Sequence, residues 1–534
     1  MPKASHVTDV LIVGAGASGG VAAKELAANG LKVLCLEQGE WPDDSKYVGR
    51  REEWELLAEK RWSPNPNVRL LESDYPLDVS EFPVDPMLYN AVGGSTVMWA
   101  GQWHRLTPSD FRTYTLDGVG ADWPLSYDDL ASYYDRVETD IGVAGFDGDP
   151  AYPPHTPYPL PPAPIGAGGT KFAQAMNRLG WHWWPGTNGI PSRPYKGRNA
   201  CVRRATCMIG CADGAKASTH LTHWPEAIEQ GAQILTGARV KEITVNENGL
   251  ATGAVYIDRS GEEHQVAADV VILCGNGVGT ARMLLMSQSK RFPNGLANSS
   301  GLVGRGLMCH PTGSVFAVFD EPVDSLVGPQ GQLLYSLQFY NTDLSRGFVR
   351  GSKWSLIPHG GPLGFAMTMG YGVELQQGLS SSFGRSLILV VFAEDLAEDH
   401  NRVVLDSELT DSDGLPAPKL IYTVGENTRK ILEFNNAKGV HALREAGAIN
   451  TFGMTFNPAF GGAHLMGTAR MGTDPARSVV NAWGRTHDVP NLYIFDGSIF
   501  PTSGAVNPTG TICALALRCA EHLHRERRAQ EIAA

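Results

Sequence analysis

Long apolar runs are missing from this chain. None reaches the length of a membrane-spanning helix. The opening MPKASHVTDV has no apolar segment of the kind that marks an export signal, so residence in the cytoplasm is expected. Positive charge is in deficit. Against 56 Asp and Glu stand only 44 Lys and Arg, a net charge of −12, which argues against a nucleic-acid partner. Cysteine is scarce: eight in 534 residues are too few for a disulfide framework. Cys35, Cys274, Cys513 and Cys519 sit in apolar strand-like or helix-like runs and read as buried thiols. Internal repeats and low-complexity segments are also absent. What remains is soluble globular composition, 43% hydrophobic and 19% charged, long enough for a large core and two domains.

Glycine is plentiful near the start, and there it is patterned. VTDVLIVG is a short apolar run that reads as a buried parallel strand. Gly14, Gly16 and Gly19 follow in G-x-G-x-x-G order. Gly14 allows a tight turn, Gly16 lets backbone approach a pyrophosphate, and Gly19 lets the next helix pack on the sheet. That helix, predicted from about Ser18 to Asn29, opens at Ala17 and Ser18 with free N–H groups facing the phosphates. LKVLCLE reads as the second strand and ends in Glu37, 18 residues after Gly19. A carboxylate there suits a ribose hydroxyl pair and disfavours a 2′-phosphate.

Further along, the pattern is discontinuous. Residues 40–85 read as a loop-rich excursion, and Ser126–Gly142 as a helix with Ser126 as its N-cap. GAQILTGARVKEITV, which carries Val240, and LATGAVYID read as strands, and ADVVILCGNGVGTARMLLMS repeats the strand–glycine–helix theme. From about 311 to 422 the chain shifts to short alternating strands, SVFAVFD, LLYSLQFY, LGFAMTM and SLILVVF, which predict a separate, mostly antiparallel sheet. Glu426–Gly447 reads as a long helix, and NLYIFDGSIF returns to the first domain. The fold class expected is α/β: a Rossmann-like dinucleotide domain, discontinuous in sequence, with an α+β substrate domain on a large sheet. The expected boundaries are 1–110, 196–310 and 456–534 for the dinucleotide domain, 111–195 for cap segments and 311–455 for the substrate sheet.

Near the other end stand GGAHLMGTARMG and FDGSIFPTSGAVNPTGTICALAL. They offer His464 and Asn507. Oxidation of an alcohol needs a base for the hydroxyl proton, and neutral imidazole suits that role near neutral pH. An amide can hold the same oxygen without taking the proton. Pro508 and Thr509 open a helix whose positive end favours negative charge beside it.

In order, GAGASGG with Glu37, NAVGGSTVMWAG, DVVILCGNGVGTARMLLMS, HLMGTARMG and NLYIFDGSIFPTSGAVNPTGTICALAL span nearly the whole chain. Together they resemble the glucose–methanol–choline (GMC) oxidoreductases, and most of all the sugar and polyol dehydrogenases and the pyranose-oxidase branch. The resemblance implies FAD and oxidation of a CH–OH group of a sugar, glycoside or polyol. His464 would be the base, and Asn507 would orient the hydroxyl. It places Gly93, Gly94, Ser95, Met98 and Trp99 along the flavin, with Val240, Cys274, Gly275, Asp496, Pro508 and Thr509 also toward the cofactor. Pyranose oxidases resemble the Met98 segment but carry a flavin-bonded histidine there. A thioether cannot form that link, so the FAD is expected to be non-covalent. Two alternatives stay open: a flavin-retaining lyase of the hydroxynitrile type, and an aromatic or aliphatic alcohol as substrate.

Cys201, Cys207 and Cys211 form a C-x5-C-x3-C loop. Three thiolates in one loop can ligate iron. Some multi-subunit sugar dehydrogenases of the family hold a [3Fe-4S] cluster in a similar segment and pass electrons to a cytochrome. Their small partner subunit carries the export signal, so a periplasmic location would follow only with such a partner. The other readings are free thiols or a disulfide within the trio. The electron acceptor, oxygen, quinone or cytochrome, is left open.

Overall fold

The computed structural model describes residues 6–533, apart from 59, 360 and 367–369. Its first sheet is built on short, wholly apolar runs. Val10, Leu11 and Ile12 have no solvent exposure, because the strand His6–Val13 lies between two parallel neighbours, Val33–Leu36 and Glu263–Leu273. Gln233–Leu235 and Leu492–Ile494 extend the parallel part, while Arg239–Val245 and Ala251–Ile257 add antiparallel strands, giving seven in all. A parallel strand buried on both faces needs such continuous hydrophobicity. At the end of the first strand Gly14 turns the chain with φ +100°, a conformation that costs a residue with Cβ far more. The helix Ala17–Ala28 then crosses so tightly that a Cβ on Gly19 would stand 2.1 Å from the Gly14 carbonyl oxygen.

The second sheet has six antiparallel strands in the order Ala448–Asn457, Thr312–Phe319, Ser386–Ala393, Ser352–Pro358, Leu334–Ser336 and Trp184–Pro185. Alternation along these strands sorts their side chains. Val315, Ala317, Leu387, Leu389, Val391, Trp354 and Leu356 face one way and pack against the helices Gly166–Leu179 and Glu426–Glu445. Ile388, Val390, Phe392, Lys353, Ser355 and Ile357 face the other way, toward the first sheet's cavity or its polar rim. A third, three-stranded sheet joins Arg402–Thr410, Pro416–Ile421 and Asp78–Glu81.

The α/β class and the large antiparallel sheet follow the sequence reading, with three corrections. The first part of LGFAMTM is not a strand: Pro362–Ala366 is a short helix, and residues 367–369 lie outside the described residues. A proline has no N–H for a ladder and suits the first turn of a helix. The large sheet instead takes Ser352–Pro358 and Ala448–Asn457, while residues 402–421 pair separately. Ser126 lies one residue before the assigned cap of the helix Asp128–Ile141, yet its hydroxyl and Asp129 still exchange hydrogen bonds as a capping pair does.

A buried ionic knot fixes the loop that will matter most. The Arg350 guanidinium, 1% exposed, reaches Asp110 at 2.5 Å and Asp117 and Glu394 at 3.0 Å each. Asp110 in turn accepts the Tyr340 hydroxyl at 2.8 Å, and the Ala505 N–H donates to that hydroxyl at 3.1 Å. The segment Gly504–Asn507 is therefore tied to the substrate sheet through charge and not only through packing. Removing one partner of such a buried set strands the others and costs about 3–5 kcal/mol.

Candidate active site

Between the two sheets lies a cavity of about 500 Å³. Gly14, Gly16, Ala17, Ser18, Glu37, Gly94, Ser95, Met98, Trp99, Val240, Cys274, Gly275, Asp496, Pro508 and Thr509 line it, together with His464 and Asn507. Gly93 does not. Its backbone, at φ +99°, turns it toward Ser218 and His220, so its small size serves packing beside the cavity.

The lining fits a dinucleotide. The helix Ala17–Ala28 begins at Gly16, which has no side chain to cap it, so its first N–H groups remain for an anion. A Cβ on Gly94 would meet the Gly16 Cα at 2.8 Å, so two glycine turns pinch together at the cavity wall. Glu37 accepts the Ala15 and Gly39 N–H groups at 2.8 Å each, one on each carboxylate oxygen. Burial pushes its carboxyl up to about 7 against those donors. Its remaining lone pairs suit a hydroxyl pair. Asp496 is more of a fastener than a free ligand. It accepts from Ser498 on one oxygen and from the Asn276 N–H and the Thr280 hydroxyl on the other, which joins the C-terminal segment to the second glycine turn. Met98 is 3% exposed and packs with Tyr47, Trp62 and Val97.

His464 and Asn507 meet: the Asn507 Nδ2 lies 3.2 Å from the His464 Nε2. Which nitrogen of His464 carries its proton follows from a partner that the sequence reading missed. His310 Nε2 lies 2.7 Å from the Gly504 carbonyl oxygen, which only accepts, so His310 Nε2 is the protonated nitrogen. Burial pushes the His310 pKa down to about 4, so the ring is neutral and its Nδ1 is bare. That Nδ1 lies 2.8 Å from the His464 Nδ1, which must then be the donor. His464 is neutral too. Burial, then His310, then Lys353 hold it well below the ordinary imidazole value of 6.5. Its proton is therefore on Nδ1, and the Nε2 lone pair faces Asn507 and the cavity. A hydroxyl placed there can donate to His464 Nε2 and accept from Asn507 Nδ2. This is the arrangement that proton removal from an alcohol requires.

No signal in GLMCHPTG marks His310, since its role depends on two rings meeting across 154 positions. Lys353 did leave a trace: in SKWSLIP it is a charge at an inward position of an alternating strand.

The cysteine loop borders the same cavity through Arg204, Ala205 and Met208. Cys201, Cys207 and Cys211 are all free, so no disulfide joins them. Each sulfur receives a backbone N–H, from Arg203, Gln330 and Lys216 respectively. Arg203 and Ala205 take left-handed conformations to shape the loop. Lys216 is 2% exposed, donates at 2.8 Å to the carbonyls of Val97 and Trp99, and acts electrostatically on Cys207 and Cys211. Among the described residues, the groups whose ligand atoms all lie within 4.8 Å of one another are Asp135, Glu138, His155 and Asp258, Glu262, His264. The three sulfurs do not all lie within 4.8 Å of one another. Among the described residues no helix is long and apolar enough to cross a membrane.

Known proteins are similar to this chain over nearly all of its length. The 2-methyl-1,2-propanediol dehydrogenase of Mycolicibacterium austroafricanum is 42% identical, over 98% of this chain and 96% of that one. The fructose dehydrogenase large subunit of Gluconobacter japonicus is 30% identical, over 96% and 97%. The crystal structure of pyridoxine 4-oxidase from Mesorbium loti shares the fold, with a TM-score of 0.63 at 17% identity over 97% of this chain and 99% of that one. Residues 8–312 and 397–516 match the N- and C-terminal family models of the GMC oxidoreductases. The chain belongs to the GMC oxidoreductase family and is an FAD-dependent oxidoreductase of CH–OH groups.

Proposed function

We propose that the substrate is a small, branched polyol of the 1,2-diol type. His464 takes its hydroxyl proton, and Asn507 holds the same oxygen. The carrying observation is the bare Nε2 of His464 under an apolar roof. Ile357, Ile388, Val390 and Phe392 of the large sheet line the cavity on the side of His464 and Asn507. Such a wall suits methyl groups, and each pyranose hydroxyl buried against it without a partner would cost about 1–3 kcal/mol. The named diol dehydrogenase among the relatives supports the same class. FAD, when bound, accepts the hydride from the carbinol carbon. His464 and Asn507 aim that carbon by fixing its oxygen.

An anaerobic screen tests the substrate class by bleaching of the flavin absorbance. Short branched 1,2-diols should bleach at least about tenfold faster than hexoses at equal concentration. Faster bleaching by a hexose or a glycoside would overturn the assignment. The FAD itself is held without a covalent bond, on the argument that Met98 offers no nitrogen for one. Acid precipitation should release all the yellow colour, and colour left in the pellet would contradict it.

The cysteine loop supports a second element of the reading, a [3Fe-4S] cluster on Cys201, Cys207 and Cys211. Three unpaired thiols, each receiving an N–H, beside a buried lysine that acts electrostatically on Cys207 and Cys211, form a pocket suited to an anionic thiolate group. Such a cluster would carry electrons from FAD to a quinone or cytochrome.

A further inference from the structure

The buried amine of Lys353 has no assigned role. It is 0% exposed, and among the described residues no carboxylate faces it. Its N–H groups meet three amide oxygens, those of Gln102, Asn507 and, at 3.5 Å, Gln332. The face of Phe392 lies 4.7 Å from the nitrogen.

The orientation of these amides can be worked out. Gln102 Nε2 donates to the Gly331 carbonyl at 2.7 Å, so its oxygen must point the other way, to Lys353. Gln332 Nε2 donates to the Thr187 carbonyl at 3.0 Å, and its oxygen also accepts the Ser355 hydroxyl at 2.9 Å. Both oxygens are thus acceptors by necessity. A neutral amine would set its lone pair against one of three acceptors. An ammonium has three donors for them. Burial draws the Lys353 pKa well below its ordinary value, while the three oxygens and the aromatic face favour the charged form. With two donors spoken for, the third fixes the Asn507 oxygen, and that leaves the Asn507 Nδ2 toward His464.

We infer that Lys353 is a positioning residue for this reaction: it sets the direction of the Asn507 amide, and its charge favours the unprotonated form of His464. The inference rests on the reading of His464 as the base. Two relays then converge on the reacting oxygen. One runs from Gly504 through His310 to His464, the other from Gly331 and Thr187 through the glutamines and Lys353 to Asn507. The titratable groups that feel Lys353 are His104, His310 and His464, from three separate segments, and all three are held neutral by burial with Lys353 adding to it. Positive charge here also favours the negative charge that develops on the substrate oxygen as its proton leaves.

The test is the pH profile of anaerobic flavin reduction for Lys353→Met, Lys353→Gln and Lys353→Arg, with FAD content and the thermal midpoint recorded for each. Lys353→Met and Lys353→Gln should keep FAD and reduce it about tenfold more slowly or worse. Without the nearby charge the His464 pKa rises. The rate needs unprotonated His464, so the acid limb should move up by about one pH unit. Lys353→Arg keeps the charge and should restore the wild-type limb. An unmoved limb in an FAD-loaded Lys353→Met or Lys353→Gln would overturn the inference, as would a Lys353→Arg limb displaced equally far. A wild-type profile with no acid limb at all would overturn both this inference and the base reading. A limb that Lys353→Met leaves in place overturns this one alone.

Discussion

Replacing His464 with alanine should leave FAD bound and slow anaerobic flavin reduction by about 100-fold or more. The reason lies in which atoms are lost. Alanine removes the Nε2 lone pair proposed to receive the hydroxyl proton, while Glu37, Asp496 and the start of the first helix are untouched. Asn507 stays clasped by Lys353, so substrate still finds one of its two anchors. The half-saturating concentration should accordingly rise less than the rate falls. The pH dependence has a definite sign. In the wild type, burial, His310 and Lys353 depress the His464 pKa well below 6.5, so the base form is already complete near neutrality. Reduction should therefore stay flat from about pH 8 down past pH 6.5 and fall only as His464 is protonated below that. The alanine variant should lose this acid limb. Near-wild-type reduction in that variant would remove His464 from the mechanism.

Changing Cys207 to serine should empty the cysteine loop of iron. The wild-type protein, made with adequate iron, should be brown and carry about three irons per chain. Cys207 is 8% exposed and its thiol is pushed up to about 12, chiefly by burial, so as a bare thiol it would be inert. Iron ligation, as proposed, would supply the compensation that a buried thiolate otherwise lacks. A serine hydroxyl is a poor substitute as a soft ligand, so the cluster should be lost. Flavin bleaching by substrate should persist, because His464 and Asn507 do not touch the loop. Electron delivery to a cytochrome-sized acceptor should fail, while small dyes continue to be reduced. Analysis of iron and of titratable thiols decides the matter. Wild-type protein without iron, with three freely titrating thiols, would leave a plain flavoenzyme.

Some of this molecule was legible from its residues alone. The dinucleotide half is written locally: an apolar run, three spaced glycines and a terminal acid are neighbours in sequence because they are neighbours in space. The motif around His464 and the one around Asn507 could each be singled out for the same reason. Only the tertiary structure decided the rest. LGFAMTM has the alternation of a strand, yet Pro362–Ala366 is helical and the sheet takes Ser352–Pro358, a run the sequence reading left unassigned. The buried lysine of that strand finds its partners in Gln102, Gln332 and Asn507, between 21 and 251 positions away. The protonation state of His464 likewise rests on a carbonyl at Gly504 relayed through His310. Backbone turns and apolar periodicity are local and leave a mark in sequence. The direction of a hydrogen bond between side chains is set by whatever the fold places across from them, and that is decided only when the chain has closed.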